Sequence, residues 1–313
     1  MNNRLSRLIR IAGVCLLPMA AFAAKLTFVM VPKGVHPYYE PCYEGFKAAA
    51  AKYGITVDKV DPQKFELPLQ VKVIEDLIAQ QVDGIAISAL DDAGLVPVIN
   101  EAMKAGIKVI TFDAPAPSSA ALTYIGTDNK TAGFEAGKKM ATLLKGPSEM
   151  VILQGGLGSV NLNLRTQGFK EAMAKFAPKT KILEVVDEGG DFSVTTNKTE
   201  ALLQTYPHLN AIFSVSAEGA PAAAAVLKQQ NKAGKIVLAG FDDLKDTVEG
   251  VKDGSISFCL VQKTFKMGWL SVEALMKAKQ GGQLAKVTDT GVLFVTKANV
   301  GNYMADMKKE FVK

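Results

Sequence analysis

Short runs of β-branched and apolar residues alternate along the chain with segments whose apolar residues recur at i, i+3 and i+4. The runs LTFVMVP (26–32), ITVDKVD (55–61), GIAISA (84–89) and KVITFD (108–113) read as strands. The intervening segments YYEPCYEGFKAAAAKYG, LPLQVKVIEDLIAQQ and DAGLVPVINEAMKAG carry the helical spacing. Gly54 and Gly106 stand where a helix ends in a glycine with left-handed backbone. GIAISA is apolar on both of its alternating faces, as a parallel strand covered from both sides must be. Strand and helix alternating at this spacing predict βαβ units and a doubly wound sheet.

The pattern then restarts. YIGTDN (124–129) leads into a helix over about 130–144. Further strands are predicted at EMVILQG (149–155), KILEVVD (181–187), AIFSVS (211–216), KIVLAGFD (235–242) and SISFCLVQ (255–262). A helix falls on AEGAPAAAAVLKQQ (217–230). Two similar α/β halves are laid end to end, with no low-complexity linker between them. A helix at FKMGWLSVEALMKAK, a strand at GVLFV and a tail helix are left to complete either half.

Composition changes this picture little. With 48% hydrophobic and 21% charged residues the 313-residue chain is globular and long enough for two cores. The first residues do change it. MNNRLSRLIR is basic, IAGVCLLPMAAF is apolar, and AFA precedes Ala24, which predicts a secretory signal peptide over residues 1–23 and export. The formal charge of +5 falls to +2 without Arg4, Arg7 and Arg10, so charge gives no reason to expect nucleic acid or membrane binding. Cys42 and Cys259 remain, far apart, and read as two separate buried thiols. With His36 and His208 the only histidines, no metal cluster and no cofactor is expected.

In open parallel sheets ligands bind beyond the carboxyl ends of strands. That rule selects VPKGVHPYY after the first strand, Asp113, Gln154 to Gly156, Ser216 to Glu218, Asp242 and Gln262. The set holds carboxylates, amides, a hydroxyl and aromatics. It holds no nucleophile with its base, no paired-carboxylate motif and no Walker loop, so no enzyme is expected. Each candidate has a plainer alternative. Asp113 suits a cap on the next element, and Arg165 suits a surface pair with Glu171 or Glu200. Tyr38 and Tyr39 suit the core, and a lysine such as Lys33 is by default a solvated rim residue. GGLGS (155–159) has Asn161 where a phosphate loop has its last glycine, and reads as a tight strand–helix turn.

VPKGVHPYY, VDGIAISALDDAGLVPVINEAMKAGIKVITFDA, YIGTDN, RTQGF, AGFDD and FCLVQ together resemble the type I periplasmic solute-binding proteins of the ribose-binding class. The resemblance implies two Rossmann-like lobes with parallel sheets, joined by a three-strand hinge. It implies closure on one monosaccharide or related polyol, delivery to an ABC permease in the inner membrane, and a monomer. By that resemblance Tyr38 and Tyr39 match an aromatic pair against a sugar ring, and Asp113 a first-lobe carboxylate. Arg165 matches a second-lobe arginine, Phe192 the aromatic on the other sugar face, and Asp242 and Gln262 further ligand contacts. His36 and Ser216 stand where ribose binders carry Asn, and Ala114 where they often carry Arg, which counts against ribose itself. Lys33 resembles a lysine of autoinducer-2 binders, so a signal receptor or a chemosensory binding protein partnered by a chemoreceptor is the alternative function. The implied lobes are residues 24–127 with 263–290 and residues 128–262 with 291–313. The crossings then lie near Thr127–Asp128, Gln262–Lys263 and Thr290–Gly291.

Overall fold

Strands that are apolar on both faces need a helix layer on each side, and the chain supplies them twice. The computed structural model describes residues 25–303 and residue 305. The predicted signal peptide and the end of the tail lie outside the described residues. The first sheet is built from β1 (Thr27–Val31), β2 (Thr56–Lys59), β3 (Gly84–Ile87), β4 (Lys108–Phe112), β5 (Tyr124–Gly126) and β11 (Val287–Asp289). The second comprises β6 (Ser148–Gln154), β7 (Thr180–Asp187), β8 (Leu209–Ser214), β9 (Val237–Phe241), β10 (Phe258–Gln262) and β12 (Val292–Thr296). Their orders are β11-β5-β4-β3-β1-β2 and β12-β10-β9-β8-β6-β7, the same winding repeated. Only β12 breaks the parallel run, pairing antiparallel to β10.

Alternation along each central strand divides the cores. In β1, Phe28 and Met30 pack toward α1 (Glu40–Tyr53) and α9 (Thr264–Lys279), while Val29 and Val31 pack toward α2 (Leu67–Ala79) and α3 (Asp92–Lys104). In β6, Met150 and Ile152 face α4 (Asn129–Ala141) and α5 (Val160–Phe176). Val151 and Leu153 face α6 (Phe192–Thr205), α7 (Gly219–Gln229) and α8 (Lys245–Asp253). The period of two required by a strand thus fills both layers.

The chain leaves the first sheet after β5, returns after β10 and leaves again after β11. It was the returning helix α9 that periodicity alone left unassigned; it packs on α1 and β4, and so completes the first half. β11 carried no readable pattern, because it is a three-residue edge strand with two of its side chains exposed. The two helix pairs α1–α9 and α4–α5 approach at glycine. A Cβ on Gly268 would fall within the van der Waals shell of the Cys42 carbonyl oxygen, which is backbone and cannot swing aside. Gly168 stands in the same relation to the Lys130 carbonyl. Gly268→Ala is therefore expected to lower stability by roughly 1–3 kcal/mol, the range for overpacking a tight contact. Denaturant unfolding of the variant beside the wild type measures it.

Candidate functional site

Both sheets reverse their winding between two central strands, β1 and β3 in the first and β6 and β8 in the second. The carboxyl ends of those strands face each other across one cavity of about 340 Å³. Asp113 follows β4 and Asp242 follows β9, the same position in each winding. Both carry left-handed backbone, φ 57° and 64°, which aspartate tolerates better than most residues. The neighbouring strand holds each one: Asp113 N–H donates to Ile125 O at 3.1 Å, and Asp242 N–H to Leu260 O at 2.7 Å. The same uncommon backbone conformation is kept at two equivalent strand ends, and both residues line the one cavity.

The first-lobe wall is organised around Asp113. Its Oδ1 accepts from the Tyr38 hydroxyl at 2.9 Å, and its Oδ2 from Ser88 Oγ at 2.6 Å and Tyr39 OH at 3.3 Å. The carboxylate is therefore not a cap on the next element. Both tyrosines line the cavity, and Tyr39 is also packed edge-on against Phe112, so wall and core are one aromatic cluster. Burial, with the Asp113 charge beside them, holds both phenols well above their usual range and keeps them neutral donors. His36 caps the short 3-10 turn at Pro37–Tyr39, accepting the Tyr38 N–H at Nδ1. Pro37 stands inside that turn, where its missing N–H leaves no bond unmade.

Arg165 anchors the second wall. It is 1% exposed, so no surface pair with Glu171 or Glu200 forms. Its Nε donates to Asn129 Oδ1 at 2.8 Å and its Nη1 to Val215 O at 2.9 Å. The guanidinium lies 4.1 Å above the Phe241 ring, and its Nη2 is buried with no partner. Gln262 ties the hinge to the second carboxylate: its Nε2 donates to Asp242 Oδ1 at 3.0 Å while its Oε1 accepts from Thr127 at 2.9 Å. Burial pushes the Asp242 carboxyl up to about 7, opposed by Arg165 and the Gln262 bond.

Side chains also cross the cleft. Lys33 is 6% exposed, not a solvated rim residue. It reaches from the first lobe to Ser159 Oγ and Asn161 Oδ1, each at 3.2 Å. Desolvation lowers its pKa, with Asp113 acting in the opposite direction. His36 Nε2 lies 3.0 Å from Glu218 Oε1, and Ser159 donates back to Leu90 O at 3.1 Å. The GGLGS turn, between β6 and α5, is thus a lobe-to-lobe contact.

Nine of the ten candidate residues line this one cavity: Lys33, His36, Tyr38, Tyr39, Asp113, Arg165, Ser216, Asp242 and Gln262. Phe192 does not. It opens α6, is 44% exposed and lies outside the lining, because Asp191 caps that helix and starts it there. Glycines 189 and 190 line the cavity in its place. Sequence reasoning passed over Glu188 and Asn161. The strand-end rule reaches Glu188 after β7 and included Glu218 beside Ser216. Asn161 has no such signal, since only the fold brings the start of α5 to Lys33. Among the described residues there is no group of three or more His, Cys, Asp or Glu side chains suited to a metal ion. Cys42 and Cys259 are free and buried, one in each lobe.

A family model described as a periplasmic binding protein domain matches residues 27–283. The ribose import binding protein RbsB of Bacillus subtilis (strain 168) is 29% identical over 254 residues, 80% of each chain. An ABC transporter solute-binding protein from Burkholderia graminis C4D1M, solved in complex with D-arabinose, is 40% identical with a TM-score of 0.85. That match covers 90% of this chain and 98% of the other. The XylFII–LytSN complex matches with a TM-score of 0.82 at 26% identity, over 88% of this chain and 98% of that one.

The Asp242 carboxyl carries a pH signature. A carboxyl whose pKa is raised on folding adds stability that is present below the unfolded value and lost as pH rises through the folded one. Here that window runs from about 4 in the unfolded chain to about 7 in the fold. Asn mimics the protonated acid, so Asp242→Asn should match the wild type in thermal stability near pH 4 and exceed it by about pH 8. Thermal melts of the ligand-free pair across that range give the difference; a gap that does not open with pH contradicts the assignment.

Proposed function

The chain belongs to the periplasmic binding protein domain family, and from that membership we propose that it captures a monosaccharide between its two lobes and hands it to an ABC importer. The proposed ligand class is an aldopentose such as D-arabinose, held by the nine cavity residues named above. The observation that carries this reading is the unpartnered Nη2 of buried Arg165, a residue that lines one cavity with Asp113 and Asp242. A sugar hydroxyl both donates and accepts, so it answers an arginine that only donates and aspartates that, when ionised, only accept. The apolar faces of a pyranose ring suit Tyr38, whose hydroxyl is already committed to Asp113. A volume of about 340 Å³ lies at the small end of ligand pockets. The similar Burkholderia protein, with D-arabinose bound, supports the pentose.

Closure is the working motion in this reading. The lobes, residues 24–127 with 263–290 and 128–262 with 291–313, hinge at the three crossings. An empty closed cleft would leave the Arg165 donor unmet and the carboxylates desolvated. A ligand that meets them shifts the balance toward the closed form, which is the form a transporter can then distinguish. The family places the protein outside the cytoplasm, and cleavage after Ala23 is the proposed route there. Lys33 spends two of its three donors on Ser159 and Asn161. It therefore acts first as a lobe-to-lobe contact, which weakens the case for an autoinducer-2 ligand. A sensor as a second partner is supported by the likeness to XylFII in its complex with LytSN.

Isothermal titration calorimetry on residues 24–313 with D-arabinose, D-ribose and D-allose tests the proposal. One of these should bind, and Arg165→Ala should weaken it by about 10- to 100-fold, from the roughly 1.5–3 kcal/mol of a hydrogen bond to a charged group. Heat from none of the three, or equal affinity in the variant, refutes the assignment.

A further inference from the structure

Behind the second-lobe wall lies a carboxyl group that none of the contacts described above uses. Glu188 follows β7 and is 1% exposed. Its Oε1 accepts the hydroxyl of Ser216, and its Oε2 is paired with the hydroxyl of Thr195, which also lies 2.7 Å from the Asp191 carbonyl oxygen. The Ser214 hydroxyl donates to the Ser216 carbonyl at 2.9 Å, so its hydrogen is spent there. A serine hydroxyl has one hydrogen and two lone pairs. With its hydrogen held by Glu188, the oxygen of Ser216, a residue that lines the cavity, has only lone pairs left to offer.

We propose that Glu188 is a positioning residue that sets the hydrogen-bonding polarity of Ser216, making this patch of the wall accept from a ligand hydroxyl and reject a group that has no hydrogen to give. The inference rests on the polyol reading of the cleft and deepens it. It supplies what a serine at this place does: the choice between donor and acceptor is made one residue behind the wall.

The arrangement also predicts how the choice is undone. Burial pushes the Glu188 carboxyl up to about 7 against the pull of the Ser216 and Thr195 hydroxyls, and Glu218 and Asp187 push the same way. Glu218 faces it from the turn before α7 and is itself paired with His36 of the first lobe. Lys198 of α6 donates to the Asp187 carbonyl on the same strand. Protonated on Oε1, Glu188 has a hydrogen of its own to give Ser216 Oγ, and the serine hydrogen is released from it. Selectivity for a donating ligand group should therefore relax as pH falls through about 7.

Two measurements test this. The first needs no sugar: a carbon-13 NMR titration of glutamate carboxyl groups, with Glu188 identified by the resonance missing in Glu188→Gln. Ser216→Ala removes a hydrogen bond to the ionised form, so the Glu188 midpoint should move upward; an unmoved midpoint overturns the proposal whether or not any sugar binds. The second compares D-arabinose with its monodeoxyfluoro analogues by calorimetry at about pH 6 and about pH 8. At one ring position the fluorine penalty should be several-fold larger at the higher pH, and Glu188→Gln should erase the difference. D-arabinose binding with no pH-sensitive position also overturns the proposal. Absence of D-arabinose binding counts against the sugar reading instead, and the first measurement then decides alone.

Discussion

A guanidinium removed from water, with one of its three nitrogens left unpartnered, is the constraint on which the cleft depends. Arg165 cannot shed its charge, so everything around it has to make burial tolerable. Asn129 and the Val215 carbonyl take two donors, the Phe241 ring takes one face, and Asp242 lies close enough for its charge to be felt. What remains is a single unpartnered nitrogen, on a side chain that lines the cavity. The hinge is wired to the same group, because Asn129 follows the first crossing and donates in turn to Tyr124 OH and Thr127 O. A change in the angle between lobes therefore acts on the atoms that hold the arginine.

Repetition of one winding gives the site its symmetry and its asymmetry. The two sheets place an aspartate with left-handed backbone at the same strand end. Asp113 accepts from three hydroxyls of its own lobe, whereas Asp242 accepts from one amide and is pushed up by burial. The first carboxylate is thus tied to the aromatic wall, and the second to the Gln262 amide alone. Cross-cleft contacts follow the same division. Lys33 and His36 reach over from the first lobe, and Ser159, Asn161 and Glu218 receive them.

Much of this was legible before any coordinates. Alternating apolar runs and amphipathic segments define two doubly wound sheets, since a strand apolar on both faces has no other place to be. The strand-end rule then finds Tyr38, Tyr39, Asp113, Ser216, Asp242 and Gln262, because winding direction alone decides where strands open onto a crevice. A resemblance carried across nearly the whole chain added Arg165. It also added Phe192, which the structure leaves outside the cavity, because the Asp191 cap begins α6 there.

Other features belong to the tertiary structure alone. Lys33 looks like any rim lysine until the second lobe brings Ser159 and Asn161, more than a hundred residues away, within bonding distance. The return of α9 to the first lobe is invisible to periodicity, which records that a helix has one buried face but not which sheet buries it. Glu188 is one more polar residue at a strand end until packing encloses it and spends both oxygens on hydroxyls. Local pattern is set by spacing along the chain, and that the sequence holds completely. Partner choice across the cleft, and the protonation that burial imposes, depend on distances between segments that only the closed fold creates.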